Sequence, residues 1–293
     1  MTPAGLLLLD KPEGPTSHDV IDSVRLALGL RRVGHTGTLD PFASGLLLVC
    51  IGWATRLAEY LTTLPKTYIG LIRLGERTDT DDRTGTVLAR NEAWRGLGRE
   101  ELERALASQV GVIHQRPPDY SAKRVGGRRS YAVAREGGRP ELETRRVMIR
   151  RLQLLEMAPP DVRVEIECSS GTYVRAVARD VGEEIGSGAH LRELRRTRIG
   201  DFHVREAVPI EADTSGNELR AALRAPAAAA SHLPHLTLDD AAAEAVRHGR
   251  PIDAPGRGAG AGPLALFHDA ALLAIAELRD GRLCPVKVFP VAS

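Results

Sequence analysis

The chain has 293 residues with 43% hydrophobic and 27% charged side chains, a composition that supports an ordinary core and excludes global disorder. No apolar run approaches the roughly 20 residues that span a bilayer, and Leu6–Leu9 lacks the basic start of a signal peptide, so we expect a cytoplasmic protein. The net charge is only +2, but residues 114–151 contain eleven Lys or Arg and four Asp or Glu. This basic segment on a slightly acidic body indicates a nucleic-acid partner.

The cysteine pattern argues against cross-links and metals. Cys50, Cys168 and Cys284 are odd in number and far apart, and the sequence contains no compact group of cysteine and histidine. Such spacing supports neither a disulfide framework nor a zinc site. We therefore predict that the protein uses no metal. The sequence also contains no cofactor motif, so we predict no cofactor.

The N-terminal segment predicts a strand, a loop and a helix. Gly5–Leu9 is apolar enough for a short strand, and the prolines and glycine of residues 10–15 predict a turn-rich loop. Thr16 and Asp19 have the spacing of a helix capping box. Apolar residues then recur at helical spacing until Gly29, which ends the helix.

Asp40 lies on a loop that cannot form a regular helix. Pro41 favours an extended conformation at Asp40, and glycines on either side permit sharp turns. The apolar run Leu46–Ile51 that follows predicts a buried strand. An acidic side chain on an irregular loop beside a rigid strand is well placed for chemistry, although Asp before Pro is also an ordinary turn residue.

The next segment predicts a helix ended by Pro65 and then a strand, Lys66–Leu74. Tyr68 lies near the start of this strand, where a tyrosine ordinarily packs half-buried. Residues 75–85 contain four acidic residues but lack the EF-hand pattern, so we predict a solvated loop. Leu97–Gln109 predicts a further helix.

Residues 114–138 form a basic insertion. Tandem prolines, paired glycines and five positive charges between Arg116 and Arg129 are not typical of a core element. Basic residues interleaved with Tyr120 and Tyr131 suit phosphate contacts and base stacking. An exposed loop without a partner is the alternative.

Val162–Cys168 alternates apolar and charged residues and is the clearest period-two strand of the sequence. A Ser-Ser-Gly turn leads into a predicted helix with Thr172 as its N-cap. Tyr173 and Arg175 are then expected in the first turn, where free backbone N–H groups attract anions. Four arginines between residues 192 and 198 add a second basic cluster.

The C-terminal segment predicts a small β-rich unit. Pro226–Ala230 is typical of a linker. A helix over residues 237–248 follows, and then, beyond a stretch rich in Gly, Ala and Pro, two short strands, a turn at Asp280–Gly281 and a third strand.

Four segments resemble the motifs of one family. The run Gly-His-Thr-Gly-Thr-Leu-Asp-Pro at 34–41, continued by Ala-Ser-Gly at 43–45, resembles the catalytic motif of the TruB family of pseudouridine synthases, which isomerise uridine in the T arm of tRNA. Lys-Pro-x-Gly-x-Thr-Ser at 11–17, Lys-x-Tyr at 66–68 and Ser-Gly-Thr-Tyr-x-Arg at 170–175 match further family motifs in the expected order. The resemblance extends through about residue 210.

The resemblance implies roles for individual side chains. Asp40 is expected to be the catalytic carboxylate, Arg175 its ion-pair partner, Tyr68 the ring that stacks on the target uracil, and Tyr173 a wall of the uracil pocket. Two further residues are expected near the substrate. Lys11 is expected to support the active-site loop, and His35 to fill the space left by the flipped base or to brace the distorted T loop. The RNA-contacting residues expected from the two basic segments are Lys123, Arg124, Arg128, Arg129, Arg192 and Arg196.

The resemblance also implies an α+β fold, with a mixed, largely antiparallel sheet flanked by helices. We predict a catalytic domain over residues 1–230, with residues 114–138 as its RNA-binding insertion. Residues 231–293 resemble a small PUA RNA-binding domain, more weakly than the motifs above.

The implied reaction isomerises uridine-55 of the tRNA T loop. The bond between uracil N1 and ribose C1′ breaks, the base turns, and C5 joins C1′. A carboxylate serves such a step either as nucleophile or by stabilising positive charge on the ribose, and the sequence leaves both roles open. The stacked base must first flip out of the loop, at a cost of a few kcal/mol. The sequence does not identify the base that removes the C5 proton.

Other readings of the sequence have different consequences. An RNA-binding module without chemistry would leave Asp40 dispensable. A nucleotide-binding transferase would use the glycines of residues 34–37 as a phosphate loop, but the sequence lacks the Gly-x4-Gly-Lys pattern. Within the family, a guide-RNA-dependent synthase is the alternative to a stand-alone enzyme of the bacterial type. The compact chain without basic tails favours the stand-alone enzyme, which we expect to be monomeric.

Overall fold

The computed structural model describes residues 3–120, 142–211, 214–254 and 262–290, and the backbone of two short strands between residues 124 and 129. The helices are α1 (Ser17–Leu28), α2 (Ala58–Thr62), α3 (Arg99–Ala107), α4 (Val174–Ile185), α5 (Gly216–Ala221) and α6 (Asp240–Arg247). The strands are β1 (Gly5–Lys11), β2 (Val33–His35), β3 (Ser44–Ile51), β4 (Lys66–Leu74), β5 (Glu76–Thr78), β6 (Val87–Arg90), β7 (Gly111–Gln115), β8 (Arg124–Val125), β9 (Arg128–Arg129), β10 (Arg145–Ala158), β11 (Asp161–Cys168), β12 (Ala189–Ile199), β13 (Phe202–His203), β14 (Val208–Pro209), β15 (His235–Thr237), β16 (Ile252–Asp253), β17 (Pro263–His268), β18 (Ala271–Arg279) and β19 (Arg282–Val288).

A ten-stranded mixed sheet forms the body of the molecule. Its main path runs β14-β1-β3-β12-β4-β11-β10-β7, with β2 paired to β3 and β13 paired to β12. Only the β1–β14 and β3–β12 pairings in this sheet are parallel. The prediction of an α+β fold with a mixed, largely antiparallel sheet is confirmed.

Two neighbouring strands in the middle of this sheet position the site. In β4, residues alternate between buried and partly exposed, which puts Lys66 and Tyr68 on the same buried face. Strand β12 pairs with β4 so that Arg196 lies directly opposite Tyr68. The predicted strands Lys66–Leu74 and Val162–Cys168 are both present, the second as part of β11.

Helix α1 begins and ends as its sequence predicts. The hydroxyl of Thr16 accepts a hydrogen bond from the backbone N–H of Asp19, and the Asp19 carboxylate accepts one from the N–H of Thr16. Gly29 then adopts a left-handed conformation with φ 68°, which ends the helix.

The start of α4 differs from the prediction. Tyr173, not Thr172, occupies the N-cap position. The Thr172 hydroxyl instead donates a hydrogen bond to the Ser169 carbonyl at 3.0 Å, so it stabilises the preceding turn and not the helix end.

The C-terminal residues form a second, five-stranded sheet in the order β15-β17-β18-β19-β16. Residues 226–230 are not an extended linker but a 3-10 helix in which Ala229 and Ala230 are buried. These alanines belong to one core that also contains Leu46 of the large sheet and Ile275 and Phe289 of the C-terminal part. The domain boundary at residue 230 stays a prediction. None of the helices in the described ranges is long and apolar enough to cross a membrane.

Candidate active site

A cavity of about 840 Å³ opens where the Asp40 loop, β4, β12 and the start of α4 meet. Asp40, Tyr68, Tyr173 and Arg175, the four residues expected around the target uridine, all line it. They come from three separate segments of the chain: the Asp40 loop, β4 and the start of α4. Their convergence follows from a shared core, because Leu39 and Phe42 beside Asp40 pack in the same cluster as Tyr68 and the first residue of α4.

The Asp40 loop is fixed by its backbone. The buried hydroxyl of Ser17 accepts a hydrogen bond from the N–H of Leu39 at 2.8 Å and donates one to the Leu39 carbonyl at 3.1 Å. The carbonyl of Asp40 accepts a hydrogen bond from Ala43. Gly45 has φ 108°, and a β-carbon there would lie 2.3 Å from the Arg196 carbonyl. Only glycine therefore allows β3 to approach β12 this closely.

Arg175 and Asp40 form an ion pair. Nε of Arg175 lies 2.9 Å from Oδ2 of Asp40, and Nη2 donates to Oδ1 at 3.4 Å. The Nε contact lacks hydrogen-bond alignment, so it is a contact between charges. The Arg175 side chain is 6% exposed and that of Asp40 is 37% exposed, which leaves the carboxylate accessible from the cavity while its partner is buried.

A second carboxylate, that of Asp82, also forms an ion pair with Arg175. Nη1 of Arg175 donates to the Thr80 carbonyl at 2.8 Å and to Oδ2 of Asp82 at 3.1 Å. Oδ1 of Asp82 accepts hydrogen bonds from the Thr80 hydroxyl, the Thr84 N–H and the Thr84 hydroxyl. The sequence predicts a solvated loop over residues 75–85, and for Asp82 this is wrong: it is 3% exposed and lines the cavity.

The environment acts on Asp40 in opposite directions. Burial raises the pKa of Asp40 above its ordinary 3.8, the charge of Arg175 opposes that rise, and the charge of Asp82 adds to it. Because burial is the largest of these effects, the pKa of Asp40 lies above that of an ordinary aspartate.

The two tyrosines lie differently in the cavity. Tyr68 is 8% exposed, and burial raises the pKa of its hydroxyl while Arg196 opposes the rise. Tyr173 is partly exposed, and the buried Gln115 fixes its backbone. Oε1 of Gln115 accepts from the Tyr173 N–H at 2.8 Å, and Nε2 donates to the Tyr173 carbonyl at 3.1 Å. The sequence analysis missed Gln115, because nothing local links it to residue 173.

Lys11 and His35 are not among the residues that line the cavity. The buried ammonium of Lys11 donates to the carbonyls of Pro12 and Pro15 and so supports the turn before α1, and the predicted role of Lys11 near the substrate stays a prediction. Nδ1 of His35 accepts a hydrogen bond from the N–H of Gly37 at 3.3 Å, so its ring braces the Asp40 loop.

The expected RNA-contacting residues divide into three groups. Arg192 is exposed on β12 and pairs with Asp161 at 2.6 Å. Arg196 is only 1% exposed, so the prediction that it lies on an RNA-docking surface is corrected: its guanidinium is enclosed beneath the Asp40 loop, because its position on β12 faces the core. The other four residues predicted to contact RNA lie outside the described side chains: Lys123, Arg124, Arg128 and Arg129.

Comparison with known proteins agrees with this geometry. Residues 25–174 match the family model for the N-terminal domain of TruB family pseudouridylate synthases, and residues 175–222 match that for the C-terminal domain of tRNA pseudouridylate synthase B. A Thermobifida fusca protein named tRNA pseudouridine synthase B is 42% identical, over 97% of this chain and 98% of that protein. A Symbiobacterium thermophilum protein of the same name is 47% identical, over 84% of this chain and 82% of that protein.

Solved structures show the same fold. A Cbf5-Nop10-Gar1 complex contains a chain that is 28% identical with a TM-score of 0.73, covering 98% of this chain and 84% of that one. An H/ACA RNP bound to a substrate RNA containing 2'-deoxyuridine gives 26% identity and a TM-score of 0.74, with 98% and 85% coverage. Fold and site thus define an enzyme of the pseudouridine synthase class. Within that class, the chain belongs to the TruB family, and the predictions of this family and of an isomerase are confirmed.

Proposed function

We propose that the protein converts uridine-55 in the T loop of tRNA to pseudouridine, with Asp40 as the essential carboxylate. The observation that carries this proposal is the Arg175–Asp40 ion pair, which presents a carboxylate to a cavity that Tyr68 and Tyr173 also line. The curated relatives named above, which are similar over most of both chains, support tRNA as the substrate.

The chemistry needs an ionised carboxylate at the ribose. As the bond between N1 and C1′ breaks, positive charge develops at C1′, and the Asp40 carboxylate either bonds to that carbon or stabilises its charge. Arg175 favours the ionised form. The base then turns, C5 bonds to C1′, and the C5 proton leaves.

The cavity also suits a flipped base. Extrusion of a stacked uridine costs a few kcal/mol, and contact with aromatic rings offsets part of that cost. Tyr68 is buried, Tyr173 is the N-cap residue of α4, and both line the cavity. We therefore expect the two rings to enclose a uracil next to Asp40.

We further propose that the enzyme acts as a monomer in the cytoplasm without a guide RNA. Relatives at 42–47% identity, named as tRNA-modifying enzymes, match most of this chain. The chains from ribonucleoprotein structures are more distant, at 26–28% identity.

Replacing the carboxylate tests the proposal. With tRNA transcripts labelled with tritium at uridine C5, wild type should release tritium, and Asp40→Asn should release none while still binding the transcript in a filter assay. Asp253→Asn, whose side chain is 95% exposed on the C-terminal sheet, is the matched control and should release tritium normally. Near-normal release by Asp40→Asn would remove Asp40 from the mechanism.

Replacing the stacking ring tests the flipped base separately. Tyr68→Leu keeps an apolar side chain but loses the ring, so we expect a slower single turnover with little change in transcript binding. A variant that reacts as fast as wild type would show that Tyr68 does not stack on the base.

A further inference from the structure

Two buried cations line the cavity without a counter-charge. Arg196 is 1% exposed, and its Nε and Nη2 donate to the carbonyls of Leu46 and Gly37 at 2.7 and 3.1 Å. Lys66 is 5% exposed, and its ammonium donates to the carbonyls of Thr62 and Leu64. Among the described residues, no carboxylate lies within ion-pair distance of either side chain. We call these two residues the cationic pair.

The other buried arginines of the described chain are neutralised. Arg175 faces two carboxylates, Asp40 and Asp82. Arg179 also faces two, Asp81 and Asp180. A buried charge without a partner costs several kcal/mol, and backbone carbonyls offset that cost only in part. Lys11 is also buried without an ion pair among the described residues, but it does not line the cavity. In the described part of the chain, Lys66 and Arg196 are thus the cations that line the cavity without a carboxylate partner, which indicates that the missing negative charge arrives with the substrate.

The two cations converge on one side of the cavity. A β-carbon added to Gly37 would lie 3.7 Å from Nη1 of Arg196 and 4.0 Å from Cε of Lys66. Both residues share the buried face of the sheet with Tyr68, since Arg196 is its partner on β12 and Lys66 lies two residues before it on β4. Burial lowers the pKa of Lys66 to about 8, and the positive charge of Arg196 contributes to this lowering.

We propose that the cationic pair stabilises the negative charge that develops on uracil when its bond to ribose breaks. This inference depends on the function proposed above. When the bond between N1 and C1′ breaks, its electron pair stays on the base, which becomes an anion with charge on O2 and O4. Electrons at C5 then form the new bond to C1′, and the C5 proton leaves. Fixed positive charge in a poorly solvated cavity favours the anionic stage.

The proposed reaction develops positive charge on the ribose and negative charge on the base, and different residues of the cavity stabilise each. Asp40 meets the positive ribose, and the cationic pair meets the negative base. A purely structural role for Arg196, as a staple between the Leu46 and Gly37 carbonyls, would require its hydrogen bonds but not its charge. The test must therefore distinguish the effect of the positive charge from the effect of these hydrogen bonds on the structure.

A substrate whose base is a more stable leaving group distinguishes the effect of charge from the effect of structure. Fluorine at C5 withdraws electrons and stabilises the uracil anion, so 5-fluorouridine depends less on the protein for this purpose. T-arm RNA containing uridine or 5-fluorouridine at the target position is reacted with excess enzyme, and loss of the parent nucleoside is followed after nuclease digestion. The variants are Arg196→Gln and Lys66→Met, which remove charge, and Arg196→Lys, which retains it. Arg163→Gln, exposed on β11, is the control.

With uridine, we expect Arg196→Gln and Lys66→Met each to slow the reaction, Arg196→Gln on the order of 100-fold. With 5-fluorouridine the loss should be at least several-fold smaller, and Arg196→Lys should recover part of the uridine rate. Equal losses on both substrates, or weaker RNA binding with an unchanged rate, would overturn the proposal. If Arg196→Gln does not fold, the comparison of Lys66→Met on the two substrates tests the proposal alone. Absence of pseudouridine with wild type would instead reject the proposed function.

Discussion

Asp40 is subject to two competing requirements, both visible in its surroundings. In the proposed reaction Asp40 must be accessible to the ribose and shielded from bulk water, and burial raises its pKa. It must also be ionised to act on a positive centre, and Arg175 favours that form. The second acid, Asp82, anchors Arg175 and at the same time raises the pKa of Asp40 by like-charge repulsion.

The pH dependence of the reaction should report this balance. Because the folded pKa of Asp40 is raised, the ionised form is lost as pH falls through a value above the ordinary 3.8. We expect the single-turnover rate to fall on the acid side with a midpoint above that value. Asp82→Asn removes a charge that raises the pKa, so it should move the midpoint to lower pH while lowering the plateau, because Arg175 loses an anchor. A midpoint that stays in place in Asp82→Asn would contradict this electrostatic account.

The residues of the site were predictable in part. Asp40, Tyr68, Tyr173 and Arg175 carry motif signals in their immediate sequence, and the structure brings them to one cavity. Asp82 carries no such signal. Its burial depends on an arginine 93 residues away, and an acidic, Gly-bounded loop is ordinarily solvated.

Helix α4 connects the Asp40 loop to the first residues of the predicted basic insertion. Arg175 and Arg179, one turn apart, donate to the backbone carbonyls of Tyr120 and Arg116 at 3.1 and 3.0 Å. Gln115 fastens the same segment to the N-cap residue of α4. The first residues of the predicted insertion are thus tied to the helix that carries Arg175, the ion-pair partner of Asp40.

Removing the Gln115 clamp should therefore affect chemistry more than folding. Gln115→Ala loses two hydrogen bonds and leaves the Tyr173 N–H unpaired, whereas the Tyr173 carbonyl keeps its bond from the Val177 N–H. We expect a cost of about 1–3 kcal/mol in the free energy of unfolding. We expect a single-turnover rate lower by roughly tenfold, because small displacements of site residues are costly. Gln153→Ala, exposed on β10, is the control and should change neither quantity. A wild-type rate in Gln115→Ala would show that the clamp does not position Tyr173.

At the level of elements, local periodicity predicted α1, β4 and β11 but gave no strand at β12. This strand contains four arginines and one glutamate in eleven residues, and such a sequence is not typical of the middle of a sheet. Arg192, Arg195 and Arg198 lie on its exposed side, where they pair with carboxylates, while Arg196 faces inward to the cavity. The arginines of β12 therefore line the cavity or pair with carboxylates at the surface. Their positions depend on the pairing of β12 within the sheet, which the local sequence does not indicate.

The ten-stranded and five-stranded sheets share a core, and one aromatic residue illustrates the connection. Phe289 stacks on Trp53 with ring centroids 4.7 Å apart and is 3% exposed. Nη1 of Arg56 donates to the carbonyl of Val288 at 2.7 Å, and Lys287 donates back to the Arg56 carbonyl. The C-terminal sheet is therefore packed against the large sheet through both apolar and polar contacts.

Phe289→Ala should consequently destabilise the whole protein. Loss of a buried aromatic side chain costs about 3–5 kcal/mol, and we expect urea unfolding to shift by a corresponding amount while remaining a single transition. Val286→Ala, partly exposed on β19, should shift it far less. Separate unfolding of the C-terminal sheet in wild type would contradict a shared core.

Binding of tRNA should depend strongly on salt. If the basic segments contact several phosphates, affinity for a T-arm transcript should fall on the order of 100-fold between roughly 50 and 200 mM salt. Titrations by fluorescence anisotropy at several salt concentrations measure this slope. A flat response would exclude the basic segments as the docking surface.

The most direct test of the central claim is to map pseudouridine, nucleotide by nucleotide, in unmodified tRNA incubated with the purified protein alone. We predict that pseudouridine forms only at uridine-55 of the T loop with wild type and at no position with Asp40→Asn. Modification at another position, dependence on an added RNA, or an undiminished yield with Asp40→Asn would contradict the account.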